Sequence, residues 1–209
     1  MYIPSSNVPN EIVFIESRLL PLKAVILVRQ FKFYKERFFE TVKKNSRRDK
    51  MLNMLLEDQN RTKYIQHYED LVTRYESKKD IVDEYRNLVK QRIYTKASTG
   101  HYKHYIYTRI NPELTTSPFL DVLHPIVGEV LKFRLGSHYL PIETGRWSGR
   151  PRHERLCENC NEVGDEDHAI YRCSLIERED LTLNEDISMI WNTPDIYELL
   201  KRIKARKLV

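Results

Sequence analysis

This 209-residue sequence predicts a mainly α fold, and three observations carry the expectation. Apolar side chains recur at three- and four-residue intervals over long stretches, the period of a helix with one buried face. Only 6 glycines are present, so few positions weaken a helix interior. The three cysteines fall within seventeen residues and beside a histidine, where a short metal-held segment is expected. Together these give a helical bundle-like body, then a small metal-binding knuckle, then C-terminal helices. Hydrophobic residues make up 41% of the chain, enough to bury a core.

In chain order, residues 1–20 read as an irregular lead-in punctuated by Pro4 and Pro9, with Ile12, Val13, Phe14 and Ile15 suited to packing on the body. A helix is expected from Leu22 to about Lys44, through Val25, Ile26, Arg29, Phe33 and the Phe38–Phe39 pair, its interleaved bases covering a solvated face. A second spans 48–57. Tyr64, Tyr68, Leu71, Val72 and Tyr75 mark a third, and Ile81, Val82, Tyr85, Leu88 and Val89 make one stripe of a fourth over 78–93. Tyrosine at this spacing reads as core with its hydroxyl at the rim. Ser98–Thr99–Gly100 is a break, 101–109 a short helix, and Asn111–Pro112 a turn. His124–Pro125 opens a helix that Gly136 ends. From Gly136 to Arg155 the chain reads as loop, with Pro141, Gly145, Gly149 and Pro151. Ile187, Ile190 and Trp191 suggest a short helix, and Thr193–Pro194–Asp195 starts a last one through Lys207. The expected domains are a helical connector over 1–120, an arginine-rich loop and zinc-binding domain over 121–178, and a helical tail over 179–209.

The chemistry-bearing pattern is C-x2-C-x7-H-x4-C, formed by Cys157, Cys160, His168 and Cys173. A two-residue gap lets one tight turn aim two thiolates at an ion, and a short helix brings a histidine and a cysteine five residues apart to one side. Three thiolates and an imidazole fill a tetrahedron, and so soft a set selects one structural Zn2+ over magnesium or calcium. His153 is the weaker candidate for fourth ligand. Asp165, Glu166 and Asp167 precede His168; they are placed to charge the start of the ligand helix, and one of them to accept its second imidazole N–H.

Charge is distributed unevenly around this pattern. The net charge is +5, and five arginines (Arg134, Arg146, Arg150, Arg152, Arg155) lie ahead of the knuckle against Glu143 and Glu154. From Glu158 to Asp167 the sign reverses. Arginine forks suit phosphate oxygens, and an exposed Trp147 or His138 can stack on a base, so this segment is a candidate RNA- or DNA-binding surface. Equally, Arg134, Glu143 and Arg146 can pair internally while Trp147 caps a core. No basic and apolar leader opens the chain, and the longest apolar run, Ala24–Val28, is too short to span a bilayer; an intracellular protein, nuclear or cytoplasmic, with no membrane partner is expected.

Three stretches carry a family likeness: Leu131–His138, Leu140–Trp147, and Arg155–Leu156–Cys157 through Cys160, Gly164–His168 and Cys173. Together they resemble the C-terminal region of LINE-type non-LTR retrotransposon polyproteins, over roughly residues 125–175. That region follows the reverse transcriptase and ends in a zinc-binding domain. The resemblance implies Cys157, Cys160, His168 and Cys173 as ligands. It places Arg134, His138, Arg146 and Trp147 in the motif ahead of them, and implies binding of element RNA or target DNA, with a reverse transcriptase domain as partner in a longer polyprotein. The chain has no Asp-Asp dipeptide, and Pro194–Asp195 with Glu198 and Lys201 lacks the spacing of a nuclease core, so a fragment or derived copy without catalysis is expected. The alternative is a zinc-braced protein-interaction scaffold with no nucleic-acid role, which the acidic 158–167 stretch suits.

Overall fold

The structure is a computed structural model that describes residues 8–33, 35, 66, 70–116, 127–191 and 195–206. It is mainly helical, with no strand among the described residues beyond one isolated bridge between Leu156 and Val163. The expected helix at 48–57, the Phe38–Phe39 pair, Tyr64 and Tyr68 of the third helix, the His124–Pro125 start and the Thr193–Pro194 cap lie outside the described residues. The chain divides into two compact units, residues 19–89 and residues 1–18 with 90–209.

In the smaller unit, α2 (Leu22–Lys32) buries Ala24 and Phe31, residues 70–74 are helical, and Phe31, Leu71, Tyr75 and Ile81 form one apolar cluster. Helix α3 (Lys78–Ser98) contributes to both units. The Ser77 hydroxyl accepts from the Asp80 N–H and the Asp80 carboxylate accepts from the Ser77 N–H, a reciprocal cap that fixes its start. Ile81, Val89 and Ile93 are buried, while Leu88 is exposed and stands off the expected stripe.

The larger unit begins with α1 (Asn10–Ser17), where an irregular lead-in is expected. Pro9 starts this helix instead of breaking it: its carbonyl accepts from Ile12 and Val13 N–H groups, and Ile12, Ile15 and Glu16 are buried. Helix α4 (Tyr102–Ile110) follows the Gly100 break, and α5 (Val127–Arg134) ends at Gly136, whose φ of 58° and the Ser137 N–H to Lys132 carbonyl bond form the expected glycine stop. The segment read as loop contains α6 (Pro141–Trp147) and a short 3-10 turn at Arg152–Glu154. Pro141 occupies the first helical turn, where its missing N–H costs nothing. Gly145 is needed there because a Cβ would stand 2.6 Å from Arg155 Cγ. Helices α7 (Ile187–Ile190) and α8 (Asp195–Ala205) complete the unit; α8 buries Ile196, Leu199, Leu200 and Ile203, a single stripe.

One core gathers Ile106 and Ile110 of α4, Val130 and Phe133 of α5, Cys157, Ile170 and Cys173 of the knuckle, and the buried face of α8. It runs across the expected limits at 120 and 178, because the knuckle shares its apolar interior with helices on both sides. Tyr75 and Tyr107 are buried as expected of core tyrosines, whereas Tyr94 and Tyr105 are exposed.

Candidate metal centre

Two local devices assemble the cysteine-histidine cluster. In the first, the Leu156–Val163 bridge closes a small hairpin; Cys157 N–H donates to the Glu162 carbonyl at 2.7 Å, Asn161 N–H donates to the Cys157 carbonyl at 2.9 Å, and Asn161 takes the left-handed φ of 55° that reverses the chain. Asparagine tolerates that conformation better than most residues. The second device is a wide helical turn over His168–Arg172, in which Cys173 N–H reaches the His168 carbonyl at 2.7 Å. This five-residue closure brings His168 and Cys173 to one side.

The Cys157, Cys160 and Cys173 thiols and the His168 ring nitrogen lie within 4.8 Å of one another. All three cysteines are free. Cys173 Sγ is 3.9 Å from both Cys157 Sγ and Cys160 Sγ. Two thiolates sharing a tetrahedral ion at about 2.3 Å would stand about 3.8 Å apart, so the spacing fits a metal. His168 supplies a second fit: its Nε2 is buried with no hydrogen-bond partner, while Nδ1 faces Glu162 Oε2 at 3.3 Å. An orphaned nitrogen in a dry interior is costly unless something fills its lone pair. This is a possible metal-binding Cys3His site. The expectation that Asp165, Glu166 or Asp167 orients His168 through the ring is corrected, since Glu162 holds that place. Asp165 instead accepts from the His168 backbone N–H at 3.0 Å. His153 stands exposed beside Glu154 and outside the ligand group.

The thiols differ in surroundings. Hydrogen bonds from Ser174 hold Cys160 down to about 6, whereas burial pushes Cys173 up to about 11. Coordination would deprotonate all three and release the protons that remain.

Arg178, which no spacing in the sequence singles out, locks the ligand turn. Its Nε donates to the Ile170 carbonyl at 2.7 Å, Nη2 to Ala169 at 2.9 Å, and Nη1 to Cys173 at 2.7 Å and Ile176 at 2.6 Å. One guanidinium thus satisfies the carbonyls that a turn of this kind leaves open.

None of the protein families, curated proteins or solved structures compared with the chain matches it.

The acidic trio ahead of His168 points into the protein. Asp165 accepts from Arg152 at 3.1 Å, and Asp167 from Arg109 at 2.6 Å. Glu166 is buried and accepts from Tyr102 Oη at 2.6 Å while His138 Nε2 lies 2.9 Å away. Burial alone would raise the Glu166 carboxyl, but the His138 and Tyr102 bonds outweigh it and hold it below the usual carboxylate range. The Leu140 N–H donates to His138 Nδ1 at 3.4 Å, so Nε2–H faces Glu166.

The arginine-bearing residues divide into two groups. Arg134 and His138 are buried, which corrects their place as nucleic-acid contacts: Arg134 donates to Glu16 Oε1 at 2.8 and 3.1 Å, and His138 is taken by Glu166. Arg155 is a clamp, with Nε on the Arg150 carbonyl at 2.8 Å and Nη1 on the Ile142 carbonyl at 2.9 Å. Residues 146–154, by contrast, are exposed throughout. They include Arg146, Trp147, Arg150 and Arg152, the expected site residues that remain at the surface.

Proposed function

We propose that the chain is a non-catalytic, zinc-braced module that binds nucleic acid through residues 146–152. Cys157, Cys160, His168 and Cys173 would hold the ion, which when bound supplies folding energy and no open coordination position. The carrying observation is the disposition of charge. The carboxylates of Glu166 and Asp167, which in sequence oppose a phosphate partner, are spent on His138, Tyr102 and Arg109, and Asp165 is engaged by Arg152, while the arginines of residues 146–152 stay exposed, Arg152 keeping about half of its side chain in solvent. The likeness to the C-terminal region of non-LTR retrotransposon polyproteins supports the same reading, with element RNA or target DNA as ligand and a polymerase domain as neighbour in a longer chain.

A gel shift with purified protein across a salt series tests this. Affinity should fall steeply with salt, weaken in the Arg146→Ala/Arg150→Ala pair, and drop with helical signal on chelation. Salt-independent binding that survives the pair would refute it. The second reading, a zinc-braced scaffold for a protein partner, draws on the exposed Leu19, Leu22 and Ile26. Capture of one protein after nuclease treatment, with no retained nucleic acid, would favour it.

A further inference from the structure

The exposed segment holds an aromatic ring under unusual restraint. Trp147 is 55% exposed, yet its indole N–H donates to Glu143 Oε1 at 3.2 Å. Glu143 itself is buried, and it also takes Lys103 at 2.8 Å and two bonds from Arg146 at 2.6 and 3.1 Å. The indole is therefore pinned by its polar edge to a carboxylate that two cations already hold, so the ring is fixed while much of its surface meets solvent. Such an arrangement spends little entropy on ordering when something stacks on it.

Arginines lie beside this residue in the chain. Arg146 keeps 38% of its side chain in solvent beside Glu143, and Arg152 keeps 53% while lying over the Tyr102 ring at 4.4 Å. Arg150, immediately after Gly149, has no carboxylate partner among the described residues. Residues 146–154 hold three arginines and one acid, Glu154; Arg146 and Arg152 reach Glu143 and Asp165 outside that stretch while keeping part of their side chains in solvent.

We infer that Trp147 is a base-stacking platform and that Arg146, Arg150 and Arg152 follow the adjoining phosphates, so the site takes single-stranded nucleic acid in preference to duplex. The inference rests on the nucleic-acid reading above and narrows it. In a duplex the faces of the bases are already stacked on one another, and an outward ring has only phosphate and sugar to meet. An unpaired base offers the π-face that a fixed indole can cover, whatever its identity.

The chain contains only two tryptophans, and the other, Trp191, is buried. Intrinsic fluorescence therefore reads this site directly. Full-length zinc-loaded protein is titrated with an oligo(U) RNA, an oligo(dT) DNA and a duplex of equal length, following both emission and affinity. The expected result is quenching by the single strands but not by the duplex, with a log–log salt slope of about −2 from three phosphate contacts. Trp147→Ala should weaken single-strand binding roughly five- to hundredfold and leave duplex binding within about twofold. Trp147→Phe should keep most of the affinity and lose the quench, and unchanged thermal melting shows both variants fold. The oligo(U) and oligo(dT) arms separate RNA from DNA as the source of the strand. Equal, salt-dependent binding of duplex and single strand without a Trp147-dependent signal overturns the stacking inference while leaving nucleic-acid binding in place. Absence of binding to all three probes overturns both readings together.

Discussion

Replacing Arg178 with alanine removes all four side-chain bonds that hold the ligand turn, at 2.6–2.9 Å from the carbonyls of Ala169, Ile170, Cys173 and Ile176. A hydrogen bond to a charged donor contributes about 1.5–3 kcal/mol net. The four are not additive, since they share one guanidinium and water can reach part of this half-buried site. A combined cost of about 3 kcal/mol is the reasonable scale. Two ligands, His168 and Cys173, lie at either end of the turn, so its ordering free energy enters metal binding directly. About 3 kcal/mol corresponds to roughly a hundredfold loss of zinc affinity. Competition against a chromophoric chelator measures it, with far-UV circular dichroism to follow the fold. Arg178→Lys keeps the charge but loses the planar fork, and should fall between wild type and alanine. Wild-type zinc affinity in a folded Arg178→Ala protein would refute the reasoning.

Other consequences are more local. Glu162→Gln keeps the shape of the group facing His168 Nδ1 but removes its charge, and should weaken metal binding about tenfold in the same competition assay. Truncating Arg134 to alanine leaves Glu16 buried without its cation; chemical denaturation should show a loss of about 3–5 kcal/mol, and wild-type stability with weakened nucleic-acid binding would instead place Arg134 at the ligand. Acid should loosen the anchoring of α8. Its Arg202 hydrogen-bonds Asp180 and holds that carboxyl down to about 2, and Glu129, though burial would raise it, is held low by Lys204 and Lys132. Folded values below unfolded ones mean that this stabilisation is complete above the ordinary carboxylate range and is lost as pH falls through the lowered values. Thermal melting should decline from about pH 4 downward, and less steeply in Asp180→Asn.

The Cys3His cluster was legible because its information is local: four residues in a short stretch, with spacing set by how one turn aims two thiolates. The helix over 78–93 was legible for the same reason, and its Ile81 and Val89 are buried although Leu88 is not. What failed depended on tertiary neighbours. Arg134 and Arg150 are alike in sequence, and only the arrival of Glu16 beside one of them separates an interior ion pair from a surface cation. Pro141 and Gly145 read as breakers of structure. In the fold the first starts α6 and the second makes room for Arg155, a requirement set by a side chain ten residues away. Arg178 and Glu162 carried no signal at all, because what they hold is decided by the path of the chain around the ligands. Of the acidic trio only Asp165 bonds the turn, through the His168 N–H, and the reach of the three carboxylates to Arg109, Arg152, Tyr102 and His138 is tertiary.

X-ray absorption at the zinc edge on purified protein, with metal content measured in parallel, tests the central claim most directly. The account predicts one zinc per chain with three sulfur ligands near about 2.3 Å and one nitrogen near about 2.0 Å, and loss of the nitrogen shell in His168→Ala. A protein that retains no zinc, or a spectrum with oxygen ligands or an open position, would contradict it.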